Sequence, residues 1–374
     1  MKIAIFTDSF FPTIGGTERA VLGLANELLA QNHEVAVFCP NHAKAVDCQF
    51  NFPVFRCPSI RVTSNDFMAF PRFSRKLKKQ IKEFNPDIIH CQSVSGMANA
   101  GIRFGKKNCI PVICTVHTKF HQALLSKIKS KFIVNLYVQL ITKRINKADV
   151  VCTVSNDMVK ELKNYGVKKS VSVVRNGMIF NREILDEDIK NIARKKYNIT
   201  PQNVVLLFVG RIVRYKNIDL ILDAIKTLKN HDCKTIFAGG GDDLSFYKSK
   251  ALKQNCGEVI FAGQVAENEL KSLYYNADLF VFPSVFDNDP LVITEAAIFH
   301  TPAITLFGTG SAERISDGRN GFVAKNEEHF KTLLAELCLQ KELLKSVGKV
   351  ASQTIPKTWA QAAEEYLNIY QKLL

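Results

Sequence analysis

In VFPSVFDNDPLVITEAAIFHTPAI (281–304), Asp287 and Glu295 have seven residues between them. An apolar strand ends at Pro283-Ser284, an acidic turn follows, and a helix begins near Leu291. That order predicts one carboxylate on the loop and the other about one turn into the helix. The first helical residues, Leu291 and Val292, offer backbone N–H groups and the positive end of the macrodipole, which suits a phosphate. Carboxylates beside such an anion site accept hydrogen bonds from hydroxyls. Phosphates in the middle and hydroxylated rings at both ends describe a nucleotide sugar.

Other constellations point to the same ligand. FVGRIVRYKN (208–217) leaves an apolar strand at Gly210 and sets Arg211 and Lys216 around a turn at a helix entrance, a pairing suited to a diphosphate. FTDSFFPTIGGTERA (6–20) closes the first strand with Gly15 and Gly16, which permit close backbone approach to a ligand, before a helix with Thr17 as its cap. His117 in TVHTKF ends the fourth strand, where the active sites of α/β proteins gather, whereas His90 reads as structural. Gly240 lies in the strand-end turn GGGDD (239–243), and Ser311 and Glu313 in GTGSAERISDGRNGF (308–322) are weaker candidates. Asp287-Asn288-Asp289 has the form of a D-x-D metal motif. The strand–turn–helix already accounts for its acids, and no histidine stands at ligand spacing, so no metal is expected.

These residues must be held by an alternation of short apolar strands and amphipathic helices. In the first half the strands are 2–7, 34–40, 87–92, 111–117, 149–155 and 170–177, with helices from about 17, at 72–84, near 95–106, over 120–147 and at 156–165. The rhythm breaks at the charge-dense 181–203 and restarts with strands 204–210, 233–241, 259–265, 279–284, 302–307 and 321–324. Helices at 217–229, 243–255, 267–276, 291–299 and 327–340 alternate with them. This predicts an α/β chain of two Rossmann-like, doubly wound parallel-sheet domains, with ligand in a cleft at the strand C-termini. The expected boundaries are 1–180, a linker at 181–203, 204–352, and a helix at 353–374 packing across the domains. In that last helix Trp359, Tyr366 and Tyr370 share a face.

Length and charge set the remaining bounds. At 374 residues two cores are expected, and 47% apolar and 23% charged residues are ordinary for a globular protein. No apolar run approaches the roughly 20 residues of a spanning helix, and MKIAIFTDSFFP reads as a strand rather than a signal peptide. The ten cysteines show no C-x-x-C pairing, which fits a reduced, cytoplasmic setting. All of the net charge of +15 falls in residues 1–180, where Lys and Arg outnumber Asp and Glu by 26 to 11, against 24 to 24 in the remainder. A one-sided basic domain suggests an anionic partner. No aromatic-basic recognition module accompanies the charge, so nucleic acid is not expected. The amphipathic segments 71–84 (Phe73, Leu77, Ile81 and Phe84 on one stripe) and 124–144 (with Lys127, Lys129 and Lys131) could dock on anionic lipid. G-x-G-x-x-G is missing after the first strand, which disfavours a nicotinamide dehydrogenase.

Taken in order, FFPTIGGTERAV, DIIHCQS, TVHTKF, TVSNDM, VVRNGM, FVGRIVRYKN, IFAGGGD, VIFAGQV, ADLFVFPS, the acidic pair 287–295, HTPAI, DGRNGFV and KTW resemble the retaining glycosyltransferases of family four, of GT-B architecture. The resemblance covers essentially the whole chain. It implies that Glu295 binds the donor ribose, that Asp287 holds hydroxyls of the transferred sugar, and that Arg211 and Lys216 neutralise the diphosphate. It further implies that Gly16 lies on a loop closing over the donor and that His117 stands near the transferred sugar. Members are typically metal-independent and need no cofactor beyond a UDP- or GDP-sugar donor. Four departures bear on sugar identity: Asp287 is one methylene shorter than the usual Glu, Pro290 and Asn217 each replace a glycine, and Met178-Ile179 replaces Val-Asp. Asp289 is a candidate to restore the shortened reach. The expectation is therefore a hexosyltransferase acting on a glycolipid, diacylglycerol or polysaccharide-precursor hydroxyl, peripheral at the inner face of the plasma membrane. The competing expectations are a non-catalytic nucleotide-sugar-binding protein and a nucleotide-sugar epimerase.

Overall fold

The computed structural model describes residues 1–13, 15–62, 67–71, 74–125, 130–178, 185–228, 232–254 and 258–374. Phe73, Lys127, Lys129, Ile179 and residues 181–184, which entered the expectations above, lie outside them. The chain divides into two compact units, Met1–Gly177 with Lys357–Leu374, and Met178–Pro356.

The first unit is built on strands β1 (Lys2–Phe6), β2 (Glu34–Pro40), β3 (Val54–Cys57), β4 (Ser59–Arg61), β5 (Phe67–Ala69), β6 (Ile88–Cys91), β7 (Val112–Val116), β8 (Val150–Thr153) and β9 (Val171–Val173). Seven of them form one sheet in the order β3-β2-β1-β6-β7-β8-β9, and β4 and β5 make a separate antiparallel ribbon. The central β1 is paired in parallel on both sides, with Ile3 opposite Val35 and Ile88. A strand flanked this way and covered on both faces must be apolar throughout, as KIAIF nearly is. Its alternation distributes the core: Ile3 and Ile5 pack with Val21, Leu24 and Leu28 on one face, and Ala4 and Phe6 with Met97 and Ile102 on the other.

The second unit carries β10 (Val204–Val209), β11 (Cys233–Ala238), β12 (Glu258–Gly263), β13 (Leu279–Val281), β14 (Ala303–Leu306) and β15 (Phe322–Ala324), all parallel, in the order β12-β11-β10-β13-β14-β15. Both orders reverse direction beside the first strand of the unit, the topology that leaves a ligand crevice at strand C-termini.

Several expectations are corrected. The helix expected to start from a Thr17 cap runs Gly16–Ala30 with Gly15 as N-cap and no side-chain cap, so Thr17 lies inside its first turn. The helical segments expected over 120–147 are found there, as Phe120–Leu125 and Lys131–Ile145. Residues 187–203 are no free linker. The helix Glu187–Lys196 belongs to the second unit, where the Ala193 amide donates to Ser272 Oγ at 2.9 Å and Lys196 pairs with Glu269 at 2.8 Å. The ribbon β4–β5 and the helix Lys341–Thr354 were not expected. Gly348 interrupts that helix in the sequence, yet a Cβ there would stand 1.9 Å from the His300 carbonyl oxygen, so only glycine lets the two backbones meet. The final helix, Trp359–Gln371, groups with the first unit and is capped by a reciprocal Thr358–Gln361 box.

Candidate active site

In the second unit the chemistry gathers where β10, β11 and β13 end. After β10 the backbone continues through Gly210 to Arg211, and the Ile212 amide donates to the Gly240 carbonyl at 2.9 Å. Gly239 holds φ at +144°, and a Cβ on it would lie 1.9 Å from the Gly210 oxygen. The two glycine turns therefore nest with no room for side chains. A short 3-10 turn, Arg214–Lys216, then leads to Asn217 at φ 58°, ψ 39°, and to the helix Ile218–Ile225. That left-handed conformation explains the glycine of the family pattern, and asparagine is the side chain that tolerates it best.

Lys216 reaches across to the loop after β13, donating to both Asp287 oxygens at 2.7 and 2.6 Å. Ser284 Oγ donates to the same carboxylate. The ammonium also lies 5.3 Å from the centre of the Phe282 ring. Arg211, exposed, stacks its guanidinium 5.7 Å from the Tyr215 ring centre. Burial raises the Tyr215 pKa, against the pull of Arg211. Both expected diphosphate cations thus border one aromatic ring, since Lys216 Nζ is 5.9 Å from its other neighbour, the same Tyr215 centroid.

The expected helix begins at Leu291, with Pro290 as N-cap and Val292 in its first turn. Glu295 is 1% exposed, and the Tyr274 hydroxyl donates to its Oε2 at 2.8 Å. Asp289 does not extend the reach of Asp287. Arg314 grips it with two bonds, 2.5 and 2.7 Å, while donating to the Ile355 carbonyl at 3.1 Å, so this acid ties the loop to the C-terminal part of its own unit. Arg314 was missed because nothing in GTGSAERISDGRNGF distinguishes it from a solvated arginine. Ser311 Oγ contacts the Ser284 carbonyl at 3.4 Å and so supports the same loop.

In the first unit, Gly15 and Gly16 head the helix after β1. Among the described residues no atom lies within 4 Å of the place a Cβ on Gly16 would take. His117 follows β7 directly and meets Gln92 Oε1 at 2.5 Å through Nε2. His90 is wholly buried, with hydroxyls of Tyr370 and Thr115 at 2.6 and 2.7 Å. Burial holds its imidazole pKa down at about 3, so it stays neutral, as a structural residue does. Asp8, just past β1, was also missed. Its carboxylate accepts the Ser95 and Met97 amides, each at 2.7 Å, at the start of the helix Gly96–Asn108. Burial raises its pKa despite those bonds.

No helix among the described residues is long and apolar enough to cross a membrane. Residues 14–182 match the family described as Glycosyltransferase Family 4, and residues 189–354 match Glycosyl transferases group 1. The chain is 30% identical to an alpha-monoglucosyldiacylglycerol synthase of Streptococcus pneumoniae over 81% of its length and 70% of that protein's. A synthase of the same name from Acholeplasma laidlawii is 26% identical over 100% and 98% of the two chains. A GDP-mannose-dependent alpha-mannosyltransferase of Corynebacterium glutamicum is 24% identical over 100% and 89%. Among solved structures, Anabaena HepE in complex with UDP superposes with a TM-score of 0.78 at 17% identity, each chain covered in full. The chain belongs to the family 4 glycosyltransferases and has their GT-B fold of two Rossmann-like domains.

Proposed function

We propose that this glycosyltransferase moves a hexose from a nucleoside-diphosphate sugar to a hydroxyl of a diacylglycerol or glycolipid acceptor, with retention at the anomeric carbon and without a metal. The observation that carries the reading is the Lys216–Asp287 pair beside Arg211 and the helix start at Leu291. A sugar hydroxyl donating to Asp287 is thereby set next to two cations suited to a departing diphosphate. Glu295, held by Tyr274, takes the ribose hydroxyls. As the bond to the anomeric carbon breaks, Arg211 and Lys216 absorb the charge on the nucleoside diphosphate, the work a divalent cation does elsewhere. The acceptor hydroxyl oxygen then bonds to that carbon on the face the diphosphate leaves, its proton passing to the departing diphosphate oxygen, and His117 orients the sugar or the acceptor. The diacylglycerol-directed names of two relatives support the acceptor class.

The first unit suits a peripheral site at the inner face of the plasma membrane. On the helix Lys131–Ile145, Phe132, Ile133, Leu136 and Leu140 are 78, 53, 49 and 42% exposed, and Lys131 and Lys143 stand beside them. An apolar stripe edged by lysines matches an anionic bilayer surface.

Purified protein supplied with diacylglycerol vesicles and labelled UDP-glucose, UDP-galactose, UDP-GlcNAc or GDP-mannose tests the reading, with EDTA in a parallel series. Transfer from one donor, undiminished by EDTA and giving the α-linked product, is expected. Donor binding by calorimetry with no turnover would indicate a sensor, and donor conversion without acceptor an epimerase.

A further inference from the structure

A line of neutral side chains runs through the interior of the first unit and ends on His117. Its far end is Tyr370, on the helix Trp359–Gln371, whose hydroxyl lies 2.6 Å from His90 Nδ1. His90 Nε2 lies 2.7 Å from Thr115 Oγ1 and 3.1 Å from the amide nitrogen of Gln92. The carbonyl end of the same amide, Oε1, is 2.5 Å from His117 Nε2. His90 and Tyr370 are fully buried and Gln92 nearly so.

A buried histidine needs partners, and the Tyr370 and Thr115 hydroxyls already occupy both ring nitrogens of His90. Packing alone therefore gives no reason for Gln92 to bridge from this ring to a second histidine. The bridge has a chemical consequence. A carbonyl oxygen only accepts, so the His117 nitrogen facing it must carry a proton. In the neutral ring the accepting nitrogen is then Nδ1, and the tautomer is fixed. The Gln92 side-chain amide is in turn placed by its contact with His90, and the main chain beneath it is fixed by its N–H, which donates to the Phe6 carbonyl at 2.8 Å.

We infer that Gln92, braced by His90 and Tyr370, is a positioning residue that sets the tautomer and ring orientation of His117 for the transfer reaction. The far anchor of this arrangement is the last helix of the chain. The inference rests on the placement of His117 beside the transferred sugar.

Full-length Gln92→Leu, Tyr370→Phe and His117→Ala proteins test it, with donor kinetics and with the imidazole 15N resonances of His117. Wild type is expected to show the Nε2–H tautomer. Gln92→Leu is expected to show a mixture, with kcat down roughly tenfold to a hundredfold and donor KM little changed. Tyr370→Phe moves both readouts the same way by less, and it carries the test if Gln92→Leu fails to fold. An inactive His117→Ala together with a Gln92→Leu enzyme of normal kcat and unchanged tautomer overturns the inference while sparing the role of His117. Full turnover by His117→Ala removes that role and the inference with it.

Discussion

The two units solve the placement of polar groups in opposite ways. Around the loop after β13, the second unit matches full charges against one another: Lys216 with Asp287, and Arg314 with Asp289. Behind His117, the first unit sets neutral side chains, with His90, Thr115, Gln92 and Tyr370 linked by hydrogen-bond contacts. Opposite charges hold groups at a chosen separation and respond to an arriving anion, which suits a diphosphate site. Neutral hydrogen bonds carry direction instead, which suits fixing how one ring points. The contrast holds although the first unit carries the whole net charge, because most of its described lysines and arginines are exposed.

Breaking a buried charge pair should have the largest effect. Arg314→Leu leaves Asp289 buried without its counter-charge, and chemical denaturation should show the second unit destabilised by about 3–5 kcal/mol. Next comes Lys216→Ala, which should lower kcat roughly 10²–10³-fold, as Arg211→Ala should. Unchanged kinetics in either would remove the diphosphate assignment.

The neutral line makes a pH prediction. The folded His90 pKa of about 3 lies below its ordinary value of 6.5, so the unfolded chain binds more protons between the two. The stability contributed is full above pH 6.5 and declines as pH falls toward 3. Melting of the wild type across that window should show the slope, and His90→Gln should flatten it. The smallest effect is expected on the surface. Leu136→Glu should weaken flotation with anionic vesicles several-fold at low salt while leaving turnover of a soluble acceptor analogue unaltered.

Much of this is legible in the sequence alone. KIAIF, EVAVFCP and VVLLFV announce buried parallel strands through unbroken β-branched and aromatic runs, and the positions of Arg211, Lys216, Asp287 and Glu295 follow from strand ends and a helix start. What escaped depended on partners distant in sequence. Asp289 looks like a ligand until Arg314, 25 residues on, takes both its oxygens. Gln92 in DIIHCQS has no local feature that marks it, because its meaning comes from His117 and from a helix some 280 residues further along. The helix Lys341–Thr354 was hidden by Gly348, whose purpose is contact with the backbone at His300.

Because Lys357–Leu374 belongs with Met1–Gly177, the second unit is in effect an insertion within the first. Its own core closes within one continuous stretch of chain. The first unit instead closes only when two distant segments meet, since His90 and Thr115 take their hydroxyl partners from Tyr370 and Tyr366. Opening that late helix alone would strip His90 of its tyrosine while leaving every strand of the sheet in place, so the two units can lose their order separately.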